Sequence, residues 1–136
     1  MRELTEFERG YFAAALAAAG RVYVRERRDR RSSIQKRVEV SSNDPALPRA
    51  VRRMVCAGRM VTRINRLKLT TRFIWLVQRN RELVPVLRLV AELSPRHATR
   101  ARLLLGFLQE SALRGRREAL SIRQAAMVKE MLRARG

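Results

Sequence analysis

The positive charge of this 136-residue chain lies in two blocks, and this distribution restricts how the chain can fold. Residues 20–70 carry a net charge of +11 and residues 96–136 carry +7, whereas residues 1–19 sum to −1 and residues 71–95 sum to +2. The total of +19 exceeds the magnitude of about 2 to 8 that is usual for a small domain. Because so many like charges repel one another, they destabilise a compact monomer.

A strongly negative partner would relieve this repulsion. Binding to a polyanion also releases condensed counterions, which favours association. Arginine supplies 28 of the 31 basic residues. A GC-rich genome would produce the same preference, but a guanidinium group contacts phosphate oxygens in a bidentate geometry in either case. Positive charge gathered in two blocks therefore predicts a nucleic-acid-binding protein.

Signals that start helices recur along the chain. Thr5 and Glu8 have the pattern of a capping box, and apolar residues follow at spacings of three or four as far as Val22. Asp44–Pro45 marks a second helix start. That second helix is expected to continue to about Leu67.

The rest of the chain also has helical patterns. A helix is expected after Thr70 or Thr71, and residues 83–93 and 101–113 are apolar on nearly all sides, as in the middle of a bundle. The predicted fold is all-α, with one domain at residues 1–136, a bundle of about five helices and one short strand near residues 37–40. The last helix should start near Ser121 and bury Ile122, Ala125, Val128 and Leu132.

Two stretches are predicted to contact phosphate groups. Residues 21–40 include the run RERRDRRSS and form a basic arm or helix extension, which is either a solvated connector or a segment that orders on binding. On the helix expected from residue 45, arginines gather opposite the apolar residues. Such a face is often only solvated surface, but Asp44 is the only acid between Ser41 and Asn80, which favours binding.

Aromatic side chains are not interleaved with these arginines, and Trp75 is expected in the core. Because single-strand binding commonly uses aromatic stacking, a duplex is favoured, with modest sequence specificity. The predicted function is a DNA-binding or RNA-binding protein with a role in transcription regulation or as a phage or plasmid accessory factor. The predicted nucleic-acid-binding residues are Arg25, Arg27, Arg28, Arg30, Arg31, Lys36, Arg37, Arg49, Arg52, Arg59, Arg63, Arg66, Arg116, Arg117 and Arg123.

Other partners remain open at this stage. The basic face would also fit an acidic protein, such as an enzyme that the chain inhibits, and binding to an anionic membrane surface is a third reading. The alanine-rich stretch at residues 13–19 packs either against another part of the chain or against a second copy. The second of these alternatives predicts a homodimer.

Patterns that indicate catalysis or a cofactor are not found in the sequence. Cys56 and His97 are the only residues of their types, so neither an intrachain disulfide nor a zinc site is expected. No glycine-rich phosphate loop occurs, and the prediction is a protein that is not an enzyme and has no cofactor. Acids precede the apolar stretch at residues 10–20, which disfavours a signal peptide. A cytoplasmic location, with the nucleoid if bacterial, is expected.

Overall fold

The computed structural model describes residues 2–26, 34–114 and 122–134, and these residues form five helices and four strands. Helix α1 (Glu6–Ala19) runs directly into strand β1 (Gly20–Glu26), and strand β2 (Ile34–Ser42) returns beside it. Helix α2 (Ala46–Val55) is followed by the hairpin of β3 (Arg59–Asn65) and β4 (Thr70–Val77). Three helices complete the described chain: α3 (Asn80–Leu93), α4 (Pro95–Arg114) and α5 (Ile122–Arg133).

The four strands form one antiparallel sheet in the order β1-β2-β4-β3. Val38 pairs with Val22 on one side and with Val77 on the other, and all three are fully buried. Side chains alternate between the two faces of a strand, and the strand residues of the hydrophobic core all come from one face. The helices therefore cover this inner face of the sheet.

Trp75 lies at the centre of the core on β4, as the sequence predicted. Its indole ring meets Phe12 of α1 edge to face, with ring centroids 6.0 Å apart. The indole Nε1 donates a hydrogen bond of 2.8 Å to the carbonyl oxygen of Ala57. Trp75 thus joins α1, the sheet and the turn that follows α2.

The predicted all-α fold is wrong, because residues 20–26, 59–65 and 70–77 are strands. The helix expected to reach Leu67 ends at Val55, where Cys56 takes a left-handed φ of 55° and Gly58 follows with a φ of 85°. Left-handed residues terminate helices. The segment TTRFIWLV was assigned to a helix on its apolar content, although β-branched and aromatic residues favour strands.

Two other sequence predictions have definite outcomes. The short strand near residues 37–40 exists, but it is the middle of the longer β2. Val22 was placed on the first helix by its spacing, yet it belongs to β1, because α1 ends at Ala19. The Thr5–Glu8 capping box is confirmed, with Thr5 Oγ1 accepting from the Glu8 amide at 3.2 Å.

The junction of α1 and β1 depends on Gly20 and on His97 of α4. A Cβ atom at Gly20 would lie 2.6 Å from the Leu16 Cα, so only glycine fits this close approach. His97 is 1% exposed and lies between the Ser94 hydroxyl, 2.6 Å from Nδ1, and the Gly20 carbonyl oxygen, 3.2 Å from Nε2. Since a carbonyl oxygen only accepts, Nε2 carries the proton, and burial lowers the pKa of His97.

Helix α5 is fixed to the sheet through Arg100. Its guanidinium group donates to the Val22 carbonyl oxygen at 3.0 Å and to the Met131 carbonyl oxygen at 2.8 Å, and burial lowers its pKa. The predicted buried stripe of α5 is partly wrong: Val128 is buried, but Gln124 and Met131 are its buried neighbours, whereas Ile122, Ala125 and Leu132 are exposed. No helix in the described residues has the length and hydrophobicity needed to cross a membrane.

Candidate nucleic-acid interface

The face of the sheet that points away from the helices carries most of its arginines. Strand alternation assigns every second residue to this outer face, since the core residues of β1, β2 and β4 all belong to the opposite set. The outer face consists of Arg21, Tyr23, Arg25, Gln35, Arg37, Glu39, Ser41, Arg59, Val61, Arg63, Asn65, Thr70, Arg72, Ile74 and Leu76. Six of these residues are arginines, and Glu39 is the single acid among them.

Two arginines of the outer face lie directly opposite each other. Arg63 on β3 is the cross-strand partner of Arg72 on β4, and both side chains are exposed. Arg72 donates a hydrogen bond of 2.9 Å to the Ser41 hydroxyl, but no acid of the outer face pairs with either arginine. Like charges directly opposite each other destabilise a sheet. An anion bound between the two guanidinium groups would remove this cost.

Tyr23 and Glu39 hold Arg37 in a fixed position on the outer face. The Arg37 guanidinium carbon lies 4.0 Å from the centroid of the Tyr23 ring, and that of Arg21 lies 4.9 Å from the same ring. Arg37 Nε also donates to Glu39 Oε2 at 2.7 Å. Because Tyr23 and Glu39 restrain it, Arg37 would lose little conformational entropy on contacting a ligand.

The middle of the outer face is apolar and shielded from water. Ile74 is 4% exposed and Leu76 is 3% exposed, although neither belongs to the hydrophobic core on the inner face. Leu76 lies in one cross-strand row with Arg21, Glu39 and Arg59. The charged ends of the outer face therefore flank an apolar centre.

The five arginines predicted to share one helix face lie in three places. Arg49 and Arg52 are on α2, together with Arg53; Arg59 and Arg63 are on β3; and Arg66 is in the turn between β3 and β4. Spacings of three and four placed them together on a helix that the structure ends at Val55. Only Arg59 and Arg63 belong to the outer face.

The remaining predicted residues either lie on different surfaces of the fold or fall outside the described residues. Arg25 and Arg37 lie on the outer face, Lys36 is half-buried on the opposite side of β2, and Arg123 is exposed on α5. The following lie outside the described residues: Arg27, Arg28, Arg30, Arg31, Arg116 and Arg117.

Arg21 lies in the predicted basic arm at residues 21–40 but was not among the named contact residues, and Arg72 was missed; a signal for each was present. Arg21, Tyr23 and Arg25 alternate with Val22 and Val24, which is the two-residue period of a half-buried strand. On β4, Thr70, Arg72 and Ile74 alternate with Thr71, Phe73 and Trp75. Reading these segments at a period of two would have placed both arginines opposite the core.

Helix α1 presents an apolar surface away from the sheet. Phe7 is 79% exposed, Tyr11 is 36% exposed, and Ala14, Ala17 and Ala18 continue the exposed stripe along the helix. This surface includes part of the alanine-rich stretch at residues 13–19, for which the sequence predicted a packing contact. The alternative of a contact within the same chain is confirmed for Ala15, which is buried in the core, but not for Ala14, Ala17 and Ala18, which remain exposed.

Acidic residues are scarce around this interface. Residues 10–25 contain no Asp or Glu. Across residues 2–26, 34–114 and 122–134, no three His, Cys, Asp or Glu side chains lie together in a way that could hold a metal ion. Divalent cations bound for catalysis depend on carboxylate oxygens.

Comparison with known proteins gives matches only among solved structures, because no family model and no curated protein matches the chain. An archaeal intron-encoded homing endonuclease complexed with DNA has a TM-score of 0.72 and 15% identity over 96% of this chain and 86% of that chain. I-CvuI, a homing endonuclease in complex with a DNA target in the presence of magnesium, has a TM-score of 0.56 and 14% identity over 94% of each chain. The LAGLIDADG homing endonuclease I-SmaMI, bound to cleaved DNA, has a TM-score of 0.66 and 14% identity over 96% of this chain but 44% of that chain.

These matches correct the prediction that the chain is not an enzyme, because the similar structures are those of DNA-cleaving enzymes. The prediction relied on the lack of a catalytic motif, which does not exclude a fold that supports catalysis in other chains. The described residues do not bring together three side chains that would fit a magnesium ion. At identities of 15% and below, the likeness extends to the fold: this chain has the fold of homing endonucleases.

Proposed function

We propose that this protein binds duplex DNA across the outer face of its sheet. The opposed pair Arg63 and Arg72 is the observation that carries the proposal, since these two cations face each other with no acid of that face beside them. A phosphate group between them would accept from both guanidinium groups. The solved structures that share the fold and contain DNA support the same partner.

The architecture of the outer face favours a DNA duplex over an RNA duplex. An antiparallel pair of strands fits the major groove of B-DNA, which is about 12 Å wide, whereas the major groove of A-form RNA is too deep and narrow for side chains to read. Arg63 and Arg72, at one end of the face, would contact phosphates. Arg37, restrained by Tyr23 and Glu39, is suited to a bidentate contact with a guanine edge.

We further propose that two copies bind together through α1. Phe7, Tyr11, Ala14 and Ala18 form an exposed apolar stripe on this helix, and its small residues permit close approach of a second helix. A twofold axis through the stripe would bring the same residues of both copies into contact. The two outer faces would then contact two halves of one DNA site.

The predicted regulatory or accessory role remains a prediction, because the similar structures give it no support. The same holds for an acidic protein as partner. A basic face that docks on one protein would show a fixed stoichiometry and no affinity gain with longer DNA.

Fluorescence anisotropy with labelled duplex DNA at several salt concentrations tests the proposal. Replacing Arg63→Gln and Arg72→Gln together should weaken binding, and the slope of log affinity against log salt should become shallower by about 0.9, because the one phosphate held between the two arginines is no longer neutralised. The matched control is Arg88→Gln with Arg102→Gln, which removes the same charge from exposed positions on α3 and α4. Equal reductions of affinity in both double variants would contradict the proposal, since net charge alone would then explain binding.

A further inference from the structure

A cavity of about 590 Å³ lies beside α2, apart from the outer face. Arg49, Arg52 and Arg53 of α2 line it, together with Cys56 at the end of that helix and Glu82 of α3. All three arginine side chains are exposed. A volume of this size is typical of sites that take a small ligand or one segment of a larger one.

The edge strand β3 separates this cavity from the outer face. Met60, which lines the cavity, faces the side of the sheet that carries Trp75, whereas Arg59 and Leu76 line a neighbouring cavity on the outer side. Both cavities share Gly58 and Glu82, and the Gly58 amide donates to Glu82 Oε2 at 3.1 Å. Strand β3 and the Gly58–Glu82 hydrogen bond therefore lie between the α2 arginines and a straight duplex on the outer face.

The three arginines carry charge that the described residues do not neutralise. None of the acids in the described part of the chain forms an ion pair with Arg49, Arg52 or Arg53. The negative end of the helix dipole accounts for cations in the last turn, which contains Arg52 and Arg53. It does not account for Arg49, which is one turn earlier and repels both of them at spacings of three and four.

We infer that the α2 cavity is a second phosphate-binding site, which takes the backbone of a DNA segment other than the one held on the outer face. This inference rests on the proposed function for the identity of the partner. Three guanidinium groups within one helical turn suit the several oxygens of a phosphodiester. An acidic peptide is the less suitable ligand, because the cavity has no exposed aromatic anchor of the kind that dominates protein interfaces.

Cys56 makes the site directly testable, since it is the only cysteine of the chain, is exposed and lines the cavity. Its rate of alkylation by N-ethylmaleimide is measured by mass spectrometry with and without a short duplex. At a duplex concentration of about ten times the dissociation constant of the second site, the rate should fall roughly tenfold, because only the unoccupied fraction reacts. Arg49→Gln with Arg52→Gln should abolish this protection and leave anisotropy binding to the outer face unchanged.

Measuring both Cys56 protection and anisotropy binding in each variant distinguishes the two sites. In Arg63→Gln with Arg72→Gln, Cys56 should still be protected although anisotropy binding is weakened, and the Arg88→Gln/Arg102→Gln control should keep both properties. Protection of Cys56 with no binding dependent on Arg63 and Arg72 would contradict the proposed function and leave this inference intact. Three results would overturn the inference: an alkylation rate that duplex does not change, protection that disappears in the Arg63/Arg72 variant, or stronger protection by polyglutamate than by duplex.

Discussion

The two faces of the sheet are built from the same strands but have opposite chemistry. On β2, Val38 and Val40 are fully buried against the helices. Arg37 precedes Val38 and Glu39 lies between the two valines, and this arginine and glutamate form an ion pair on the outer face. The inner face excludes water and holds the helices in place. The cations of the outer face contribute little to the free energy of folding. Core packing and the proposed DNA contacts therefore involve alternate residues of each strand.

This difference has a physical cause in the strand itself. Successive side chains of a strand point to opposite faces, so a sequence that alternates valine with arginine separates its apolar and charged groups without a change of backbone. Tyr23 follows the same alternation, because its ring lies against Arg21 and Arg37 on the outer face while its neighbours Val22 and Val24 face the core. The comparison between the faces yields predictions that separate stability from binding.

The largest expected effect is on the inner face. Trp75→Ala should lower the free energy of unfolding by about 3 to 5 kcal/mol, because it removes a large buried ring and the hydrogen bond to Ala57. Urea denaturation followed by circular dichroism measures the change. Arg63→Ala, on the outer face of the adjacent strand, is the control and should stay within about 0.5 kcal/mol of the parent protein. A similar decrease in both variants would show that the outer face also stabilises the fold.

An intermediate effect is expected from pH, through His97 on the helix side of the molecule. Burial lowers the pKa of His97 in the folded protein, so folded and unfolded chains both keep the ring neutral well above its ordinary pKa of about 6.5. Below that pH the unfolded chain takes up a proton that the folded chain resists. The free energy of unfolding should then fall by up to about 1.4 kcal/mol per pH unit until the folded pKa is reached.

His97→Gln provides the comparison for this pH effect. Because carboxylates titrate in both proteins, the informative quantity is the difference in urea stability between about pH 7.5 and about pH 5.5, within the range where histidine changes charge. The variant should lose less stability over that interval than the parent protein. An equal decrease in both would show that the buried ring does not resist protonation.

The smallest expected effect concerns the single acid of the outer face. Glu39→Gln keeps the size and the hydrogen-bonding oxygen beside Arg37 but removes the negative charge. The amide oxygen can still accept from Arg37 Nε and keep Arg37 in position for a base, whereas the lost negative charge no longer repels DNA phosphates, so DNA affinity should rise and the salt slope should steepen by up to about 0.9. Anisotropy titrations measure both. Weaker binding in this variant would indicate that Glu39 is needed to orient Arg37 for contact with a base.

The local signals in the sequence were more informative than its overall periodicity. The Thr5–Glu8 capping box, the helix start at Asp44–Pro45 and the buried position of Trp75 were all predictable, because each depends on a few neighbouring residues. Part of β2 was recognised as a strand, but β1, β3 and β4 were not, since a short run such as residues 59–66 places arginines at spacings that also fit a helix. The left-handed residue at Cys56 is what ends the helix, and cysteine gives no warning of it.

The sequence by itself determined that the chain carries a large positive charge in two blocks, that it has enough apolar residues to fold, and where several helices begin. Only the tertiary structure decided which arginines share a surface. Arg63 faces Arg72 across the β3–β4 hairpin, and Arg21 lies in one row with Arg59 because β2 pairs with β4, which is distant along the chain. Such pairings depend on how the sheet is ordered, and local spacing contains no information about that order.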